Sequence, residues 1–474
     1  MIFSSLLFMF IYLPIVFGIY FIMPRGKKNV YKNAFLFFVS LIFYAWGEPV
    51  YIILMMFTTF FDWISGIYIH KFMEKNQKNI AKTILIVASI VNLSFLGYFK
   101  YSNFLIDNIN GIFNLDIPFK EIALPIGISF YTFQAMSYMI DVYRKMTDVQ
   151  KNFLSFGAYV ALFPQLIAGP IVQYKTIAEQ LDNRKETISE FVHGIKIFTI
   201  GLAKKVLLAN NIGLLWDTVK IMPDAEKSVL GVWLGIIAFS FQIYFDFSGY
   251  SDMAIGLGHM LGFKFDLNFN YPYISRSATE FWRRWHISLG VWFKEYVYIP
   301  LGGNRVKKWR ALLNIMIVWF LTGFWHGAEW AFIIWGLYFG VILILEKTFL
   351  LKFLEKLPKF VSHIYLLLIV VISWVFFSLE DLGKATKYIG EMFGLGKLPL
   401  VNDQSIYMLY TNIIMMIILA LSCTMIFKKI KDKLKEKNSK VFDILSIAGC
   451  VAVWTVSTIY LVSASYNPFL YFRF

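Results

Sequence analysis

Two histidines, His286 and His326, are the residues of this chain best suited by type and position to acid–base chemistry. His326 interrupts an otherwise apolar stretch between Arg310 and Lys347, within the sequence FLTGFWHGAEWAFIIWG. A helix entering at Arg310 would carry His326 deep into a hydrocarbon core about 30 Å thick. Polar side chains are costly at that depth, so an intramembrane histidine is by default a hypothesis about function.

The chemistry that suits a buried neutral histidine is general-base catalysis. Such a base could take the proton from a hydroxyl that attacks a thioester carbonyl. The sequence contains no GxSxG, HExxH or P-loop motif, and no serine or cysteine stands out as a nucleophile. This pattern favours direct transfer between two bound substrates. The alternative for His326 is a packing residue that only bonds a backbone carbonyl, and packing or interfacial roles are expected for His70, His193, His259 and His363.

His286 lies on an aromatic and basic segment, Glu280–Arg310, that leads into the apolar stretch. A helix beginning near Glu280 would place Arg283 and His286 on one face. The basic residues could simply anchor the segment at the membrane surface. They could also dock an anionic donor, such as the phosphates of coenzyme A or an acidic carrier protein. Candidate donor- or substrate-binding residues are therefore Arg283, Arg284 and, beside His326, Trp325.

A second polar cluster, in the sequence DFSGYSD, follows a long apolar run. Acidic side chains at membrane depth could bind a substrate or cation, or carry protons. They could equally cap helix ends around Gly249. Both interpretations stay open, and the candidate substrate-binding residues here are Asp246, Ser248 and Tyr250.

The composition is that of an integral membrane protein. Hydrophobic residues make up 58% of the chain and charged residues 16%, against roughly 25% charged in soluble domains. No sizeable polar linker appears, so a single domain over residues 1–474 is predicted. The net charge of +15 comes from basic residues in short loops, which indicates the positive-inside pattern rather than nucleic-acid binding. The two cysteines show neither a disulfide framework nor metal-ligand spacing.

The pattern of apolar runs predicts an all-α polytopic protein with roughly eleven transmembrane helices, plus re-entrant and interfacial helices. Met1–Met23 is expected to be a retained first span, and both chain ends are expected outside. Pro125, Gly127, Gln134 and Asp141 make LPIGISFYTFQAMSYMIDVYRK a poor plain lipid-facing helix, whereas the prolines and glycine of FPQLIAGPI predict broken helices packed against protein. Phe191–Leu215 is expected at the interface. The remaining signals are a turn at Gly302-Gly303-Asn304 and a lysine-rich segment, Lys428–Lys440, that should face the cytoplasm.

The run WRRWHISLGVWFKEYVYIPLGGNR, followed by FLTGFWHGAEWAFIIWG, resembles the membrane-bound O-acyltransferase (MBOAT) family. It is most similar to the family's bacterial AlgI-like branch, which serves alginate O-acetylation. The segments IYFDFSGYSDMAIGLG and FPQLIAGPI and the tail NPFLYFRF resemble that branch in the same order. The resemblance implies a ring of transmembrane helices around a central tunnel. It also implies that His326 is the catalytic base and that His286 is the second residue in or near the tunnel.

The resemblance implies transfer of an acyl group, expected to be acetyl, from a cytoplasmic thioester donor to an extracellular polysaccharide. The co-substrate would be acetyl-coenzyme A or an acyl-carrier thioester, with no tightly bound cofactor and no metal. The expected location is a bacterial plasma membrane, and the expected partners are membrane lipid, the polysaccharide and an extracellular SGNH-type transferase. Two alternatives stay within acyl transfer: D-alanyl transfer and peptidoglycan acyl transfer. A transporter or flippase is a third, although no paired halves with matching broken helices are evident.

Overall fold

The computed structural model describes residues 1–118, 122–167, 169–463, 467 and 470, and this part of the chain contains helices and no strand. Its α-helices, in chain order, are α1 Leu13–Ile22, α2 Val30–Ala45, α3 Ile52–Glu74, α4 Lys78–Leu96, α5 Ser102–Phe113, α6 Ile128–Tyr143, α7 Phe153–Ala161, α8 Phe163–Leu166, α9 Tyr174–Asn183, α10 Ile188–Leu202, α11 Asn210–Lys220, α12 Val229–Met260, α13 Ala278–Trp282, α14 Ile287–Phe293, α15 Lys308–His326, α16 Trp330–Leu345, α17 Leu351–Leu354, α18 Lys359–Leu379, α19 Leu382–Met392, α20 Asp403–Ser422, α21 Ile426–Lys437 and α22 Ser439–Ser463.

Within these residues, seven helical stretches are long and apolar enough to cross a membrane: Ile52–Glu74, Lys78–Phe113, Val229–Met260, Trp330–Leu354, Lys359–Leu379, Asp403–Ser422 and Ser439–Ser463. The chain is therefore an all-α, multi-pass membrane protein, as predicted. The number of roughly eleven spans stays a prediction. Several apolar segments form helices too short to cross about 30 Å of hydrocarbon alone; the predicted first span, for example, is the short apolar helix Phe8–Ile22.

The described chain divides into two compact units, residues 1–198 with 251–266 and residues 199–250 with 267–474. The single-domain prediction stays a prediction. In the first unit, α6 has nearly all of its side chains buried, which confirms that its segment is not a plain lipid-facing helix. Just before FPQLIAGPI, α7 ends at Ala161, and the short helix α8 begins at Phe163. The four residues of α8 are all buried, so this stretch is a broken helix, as its prolines predicted.

In the second unit, α15 and α16 form the helical hairpin that the apolar pattern around His326 predicted. Two glycines let the two backbones approach closely. A Cβ added at Gly323 would meet the Phe332 carbonyl oxygen and lie 3.1 Å from the Gly336 Cα. The carbonyl oxygen is backbone and cannot move aside as a flexible side chain could. The packing of the hairpin therefore depends on glycine at position 323.

The structure corrects one expectation about α12. The polar cluster around Gly249 lies inside the continuous helix α12, so the helix-capping interpretation is wrong. Gly249 instead permits a close approach to the Gly201 carbonyl oxygen, 2.8 Å from where its Cβ would be. Most of the lysine-rich segment Lys428–Lys440 belongs to the exposed helix α21, and its cytoplasmic position stays a prediction.

The segment expected at the interface, Phe191–Leu215, contains most of α10 and the start of α11, joined by the π-helical turn Ala203–Ala209. Lys205 and Val206 in this turn are buried. This part of the segment is therefore packed against protein, because a lysine so enclosed is not at a solvated surface.

Candidate active site

His326 is the last residue of α15, where the chain leaves the helix in an extended conformation at Gly327. Three aromatic rings surround its imidazole. The ring centroid of Trp335 lies 5.0 Å away with the two planes at 88°, that of Phe377 lies 5.3 Å away and that of Trp325 lies 5.0 Å away. Only 4% of His326 is exposed. This enclosure restricts rotation of the imidazole ring.

His286 lies between two short helices rather than on one continuous helix. α13 ends at Trp282, and His286 adopts a left-handed conformation (φ 45°, ψ 54°) immediately before α14. The prediction that Arg283 and His286 share a helix face is therefore wrong. His286 is buried, and its ring packs against Phe247 at a centroid distance of 4.7 Å. A non-glycine residue at positive φ is uncommon, and such backbone strain is frequent at functional sites.

The two histidines line the same cavity, whose volume is about 710 Å³. Much of its wall is aromatic, with Trp282, Trp285 and Trp319 among the lining residues. A cavity of this size falls in the range that holds a cofactor or drug-sized ligand, about 300–1,000 Å³. The fold thus brings His286 and His326, which lie on separate segments of the sequence, to the same cavity.

The cavity lining also contains three exposed cationic side chains, Arg283, Lys294 and Lys347. No aspartate or glutamate is among the lining residues that the structure describes. The balance of charge along this wall is therefore positive, which suits an anionic ligand. The sequence predicts Arg283 as a donor- or substrate-binding residue, whereas Lys294 and Lys347 resemble ordinary interfacial lysines in the sequence.

Next to Lys347, the predicted turn Gly302-Gly303-Asn304 brings an amide into the cavity wall. The turn is confirmed by positive φ angles of 99° at Gly302 and 53° at Gly303. The Tyr298 hydroxyl donates to the Asn304 side-chain oxygen over 2.6 Å, and the Lys347 ammonium donates to the same oxygen. The turn thus fixes the position of the Lys347 charge at the cavity.

Glu346 holds the start of the His286 segment and was not recognised from the sequence. This carboxylate is buried and follows α16 directly. It accepts hydrogen bonds from the backbone N–H groups of Ala278 (2.7 Å) and Thr279 (2.8 Å), and from the Thr279 hydroxyl (2.6 Å). Because α16 packs on α15, Glu346 connects the hairpin that bears His326 to the segment that bears His286.

Trp325 and Arg284, both predicted to bind donor or substrate, have different surroundings. The Trp325 ring contacts both histidines, with centroid distances of 6.2 Å to His286 and 5.0 Å to His326. Arg284 is not among the cavity-lining residues. Its guanidinium pairs with Glu280 at 3.0 Å and donates to the Asn270 carbonyl. The geometry thus gives Arg284 a local structural partner.

The Asp246 cluster lies outside the lining of this cavity. Asp246 forms a buried ion pair with Lys205, at 2.6 Å, and accepts a hydrogen bond from the Leu470 N–H over 2.9 Å. Ser248 and Tyr250 are buried on the same helix. In the described residues, no three His, Cys, Asp or Glu side chains are grouped so that they could hold a metal ion. Substrate binding by Asp246, Ser248 and Tyr250 remains a prediction, and the ion pair favours a structural role for Asp246.

Comparison with known proteins gives a consistent result. A family model described as MBOAT, membrane-bound O-acyltransferase family, matches residues 52–380. The chain is 37% identical to the probable alginate O-acetylase AlgI of Azotobacter vinelandii, with 100% of both chains covered. It is 33% identical to a peptidoglycan O-acetyltransferase of Helicobacter pylori, covering 100% of this chain and 98% of that one. A teichoic acid D-alanyltransferase of Streptococcus thermophilus is 31% identical over 48% of this chain and 58% of its own length.

Proposed function

Because this chain belongs to the membrane-bound O-acyltransferase family, we propose that it moves an acetyl group from a cytoplasmic thioester to hydroxyl groups of an extracellular polysaccharide. That the chain is an O-acyltransferase and a multi-pass membrane protein follows from its family and its helices. The observation that supports transfer from a thioester donor to a polysaccharide hydroxyl is the cavity, which is lined by two buried histidines and three exposed cationic side chains.

In this reaction His326 acts as the general base. It takes the proton of the acceptor hydroxyl as the hydroxyl oxygen attacks the thioester carbonyl. A carbon–oxygen bond forms, the carbon–sulfur bond breaks, and the imidazolium returns the proton to the departing thiolate. The products are an O-acetyl ester and a free thiol. The aromatic enclosure of His326 excludes water and so limits hydrolysis of the thioester.

The donor is proposed to bind along the cationic wall. Arg283, Lys294 and Lys347 would pair with the phosphates of coenzyme A or with an acidic carrier protein. The aromatic and aliphatic side chains deeper in the cavity would hold the pantetheine arm, with its thioester near the histidines. Basic residues concentrate on the cytoplasmic side of membrane proteins, which supports entry of the donor from the cytoplasm.

The acceptor is proposed to be a polysaccharide, because two relatives matched over their full or nearly full length are named for O-acetylation of alginate and of peptidoglycan. The relative named for D-alanyl transfer matches only about half of the chain, so D-alanine is the weaker candidate donor group. A bacterial plasma membrane and an extracellular SGNH-type partner complete the proposal. All three of these relatives are bacterial.

The test is acetyl transfer by purified protein in proteoliposomes. Acetyl-coenzyme A labelled in the acetyl group is supplied on one side, and alginate or peptidoglycan oligosaccharides on the other. The expected result is release of free coenzyme A thiol together with labelled oligosaccharide. D-alanyl and acetyl carrier proteins serve as alternative donors in parallel. Label that crosses the membrane with no thioester consumed would contradict the proposal and support a transporter.

A further inference from the structure

Asn268 is a fully buried residue that contacts the His286 turn through both its main chain and its side chain. Its backbone carbonyl accepts from the Ile287 N–H over 3.0 Å. Its side-chain oxygen accepts from the Ser288 N–H over 3.2 Å and from the Ser288 hydroxyl over 2.9 Å. The same oxygen lies 3.2 Å from Nδ1 of His286. Asn268 therefore holds three consecutive residues of the turn.

These contacts determine which nitrogen of His286 carries the hydrogen. A backbone N–H can only donate, so the side-chain atom of Asn268 that faces the Ser288 N–H is the oxygen rather than the amide nitrogen. An oxygen of this kind only accepts, and His286 Nδ1 must then donate to it. In the neutral imidazole the other nitrogen, Nε2, carries the lone pair. The tautomer of His286 is thus specified by Asn268.

Aromatic side chains also pack around the His286 imidazole. The rings of Phe247, Phe269 and Trp325 lie around it, with centroid distances of 4.7, 6.5 and 6.2 Å. His286 lies outside the seven candidate spans, and burial lowers its pKa well below the usual value. The imidazole is therefore neutral near pH 7.

Among the described residues that line the cavity with His286, the charged side chains are all cations: Arg283, Lys294 and Lys347. Cations disfavour an imidazolium and so agree with a neutral ring.

Asn268 also stabilises the unusual backbone conformation of His286. A non-glycine residue in the left-handed region costs on the order of 1–3 kcal/mol and persists only where neighbouring contacts hold it. Asn268 supplies such contacts, because it accepts hydrogen bonds from the backbone N–H groups of the two residues after His286.

We propose that Asn268 is a positioning residue that keeps the hydrogen on Nδ1 of His286, so that Nε2 serves as an acceptor for a hydrogen bond or proton from a bound substrate. This inference rests on the proposed acyl transfer, since it assigns His286 a role in that reaction. The side chain of Asn268 acts through His286 and does not itself line the cavity.

The test compares Asn268→Ala and Asn268→Asp with wild type and with His286→Ala, using acetyl-coenzyme A turnover over a range of pH. Asn268→Ala is expected to lower kcat on the order of 10²-fold, with KM within about twofold, because the tautomer is no longer fixed. Asn268→Asp keeps an acceptor for Nδ1–H and for Ser288, and is expected to recover most of kcat. Its carboxylate favours the imidazolium. The acid limb of its pH–rate profile should therefore shift to higher pH.

Three results would overturn the assignment: wild-type kcat in Asn268→Ala, an unshifted acid limb in Asn268→Asp, or full turnover by His286→Ala. If Asn268→Ala fails to fold, the acid limb of the pH–rate profile of Asn268→Asp still tests the proposal. If His286→Ala is fully active while His326→Ala is inactive, acyl transfer stands and only the role of Asn268 falls. If wild type consumes no thioester from any donor, the proposed function fails and this assignment fails with it.

Discussion

His286 and His326 line one cavity although they belong to separate helical segments, and the ring of Trp325 packs against both. The hairpin α15–α16 carries His326, and Glu346, just after this hairpin, holds the start of α13 that leads to His286. The relative placement of the two imidazoles therefore depends on the hairpin packing and on this one carboxylate.

Gly323→Ala is expected to lower turnover on the order of 10²-fold, because a displacement of about 1 Å at a reacting group can cost that much. The new methyl group would meet the Phe332 carbonyl oxygen, so α15 and α16 must separate. His326 follows three residues later on the same helix. The measurement is kcat with acetyl-coenzyme A.

The matched control for that variant is Gly449→Ala on the exposed helix α22, where an added Cβ meets nothing within 4 Å. This change should leave turnover unaltered. Equal activity of the two variants would show that the close approach of the hairpin helices does not matter for the chemistry.

Glu346→Gln is expected to destabilise the protein by about 1.5–3 kcal/mol, because charge-assisted hydrogen bonds to two backbone N–H groups and a hydroxyl are weakened. The free energy of unfolding would be measured in mixed micelles. Turnover should fall as well, since α13 loses its anchor. The control is Glu355→Gln, at an exposed glutamate. If Glu355→Gln loses as much stability as Glu346→Gln, the hydrogen bonds to Glu346 are not what stabilises the protein.

Lys347→Gln is expected to raise KM for acetyl-coenzyme A by about two- to fivefold with little change in kcat, since exposed ion pairs contribute about 0.2–1 kcal/mol. The dependence of KM on salt should also weaken, because one screened attraction is removed. Lys352→Gln, an exposed lysine outside the cavity lining, is the control. An unchanged KM and salt dependence in Lys347→Gln would exclude this lysine from the donor site.

Acid sensitivity is expected from Glu186 in the first compact unit. Burial would raise its pKa, but hydrogen bonds from Tyr20, Arg25 and Lys32 lower it from the usual 4.5 to about 2. A carboxylate whose pKa is lower in the folded state contributes stability that is complete above the unfolded value and is lost as pH falls toward the folded value. The melting temperature of wild type should therefore drop between about pH 4.5 and 2.

The melting temperature of Glu186→Gln should be lower at pH 7 and should depend less on pH in that acidic range. The exposed Glu179→Gln on α9 is the control and should follow wild type. A Glu186→Gln profile parallel to that of wild type would contradict the assignment of this acid sensitivity to Glu186.

The sequence predicted those features that depend on local pattern. The apolar runs on either side of His326 predicted the hairpin, and Gly302-Gly303-Asn304 predicted a turn, because periodicity and glycine chemistry are local. The arrangement around His286 could not be predicted in this way. α13 ends at Trp282, and Asn268 holds the turn that follows. Asn268 precedes this turn by much more than the three or four residues that separate neighbours on a helix.

Long-range partners account for the other differences. In the sequence, Asp246 is a candidate helix cap. Its ion-pair partner, Lys205, lies on a π-helical turn that is distant in sequence, so the pair cannot be predicted from local pattern. Lys294 and Lys347 look like ordinary interfacial lysines in sequence, and only the fold brings them to one wall with the histidines. Buried ion pairs and cavity walls join residues without a fixed spacing, so no local motif identifies them.

Thioester turnover by wild type and His326→Ala tests the role of His326, with both proteins purified in nanodiscs and given labelled acetyl-coenzyme A and an oligosaccharide acceptor. We predict that His326→Ala folds and inserts like wild type but loses turnover by about 10²- to 10⁴-fold, the usual contribution of a general base. His70→Ala, a half-buried histidine outside the cavity lining, should retain wild-type turnover. Turnover by His326→Ala within about twofold of wild type would contradict the assignment of the proton transfer to this imidazole.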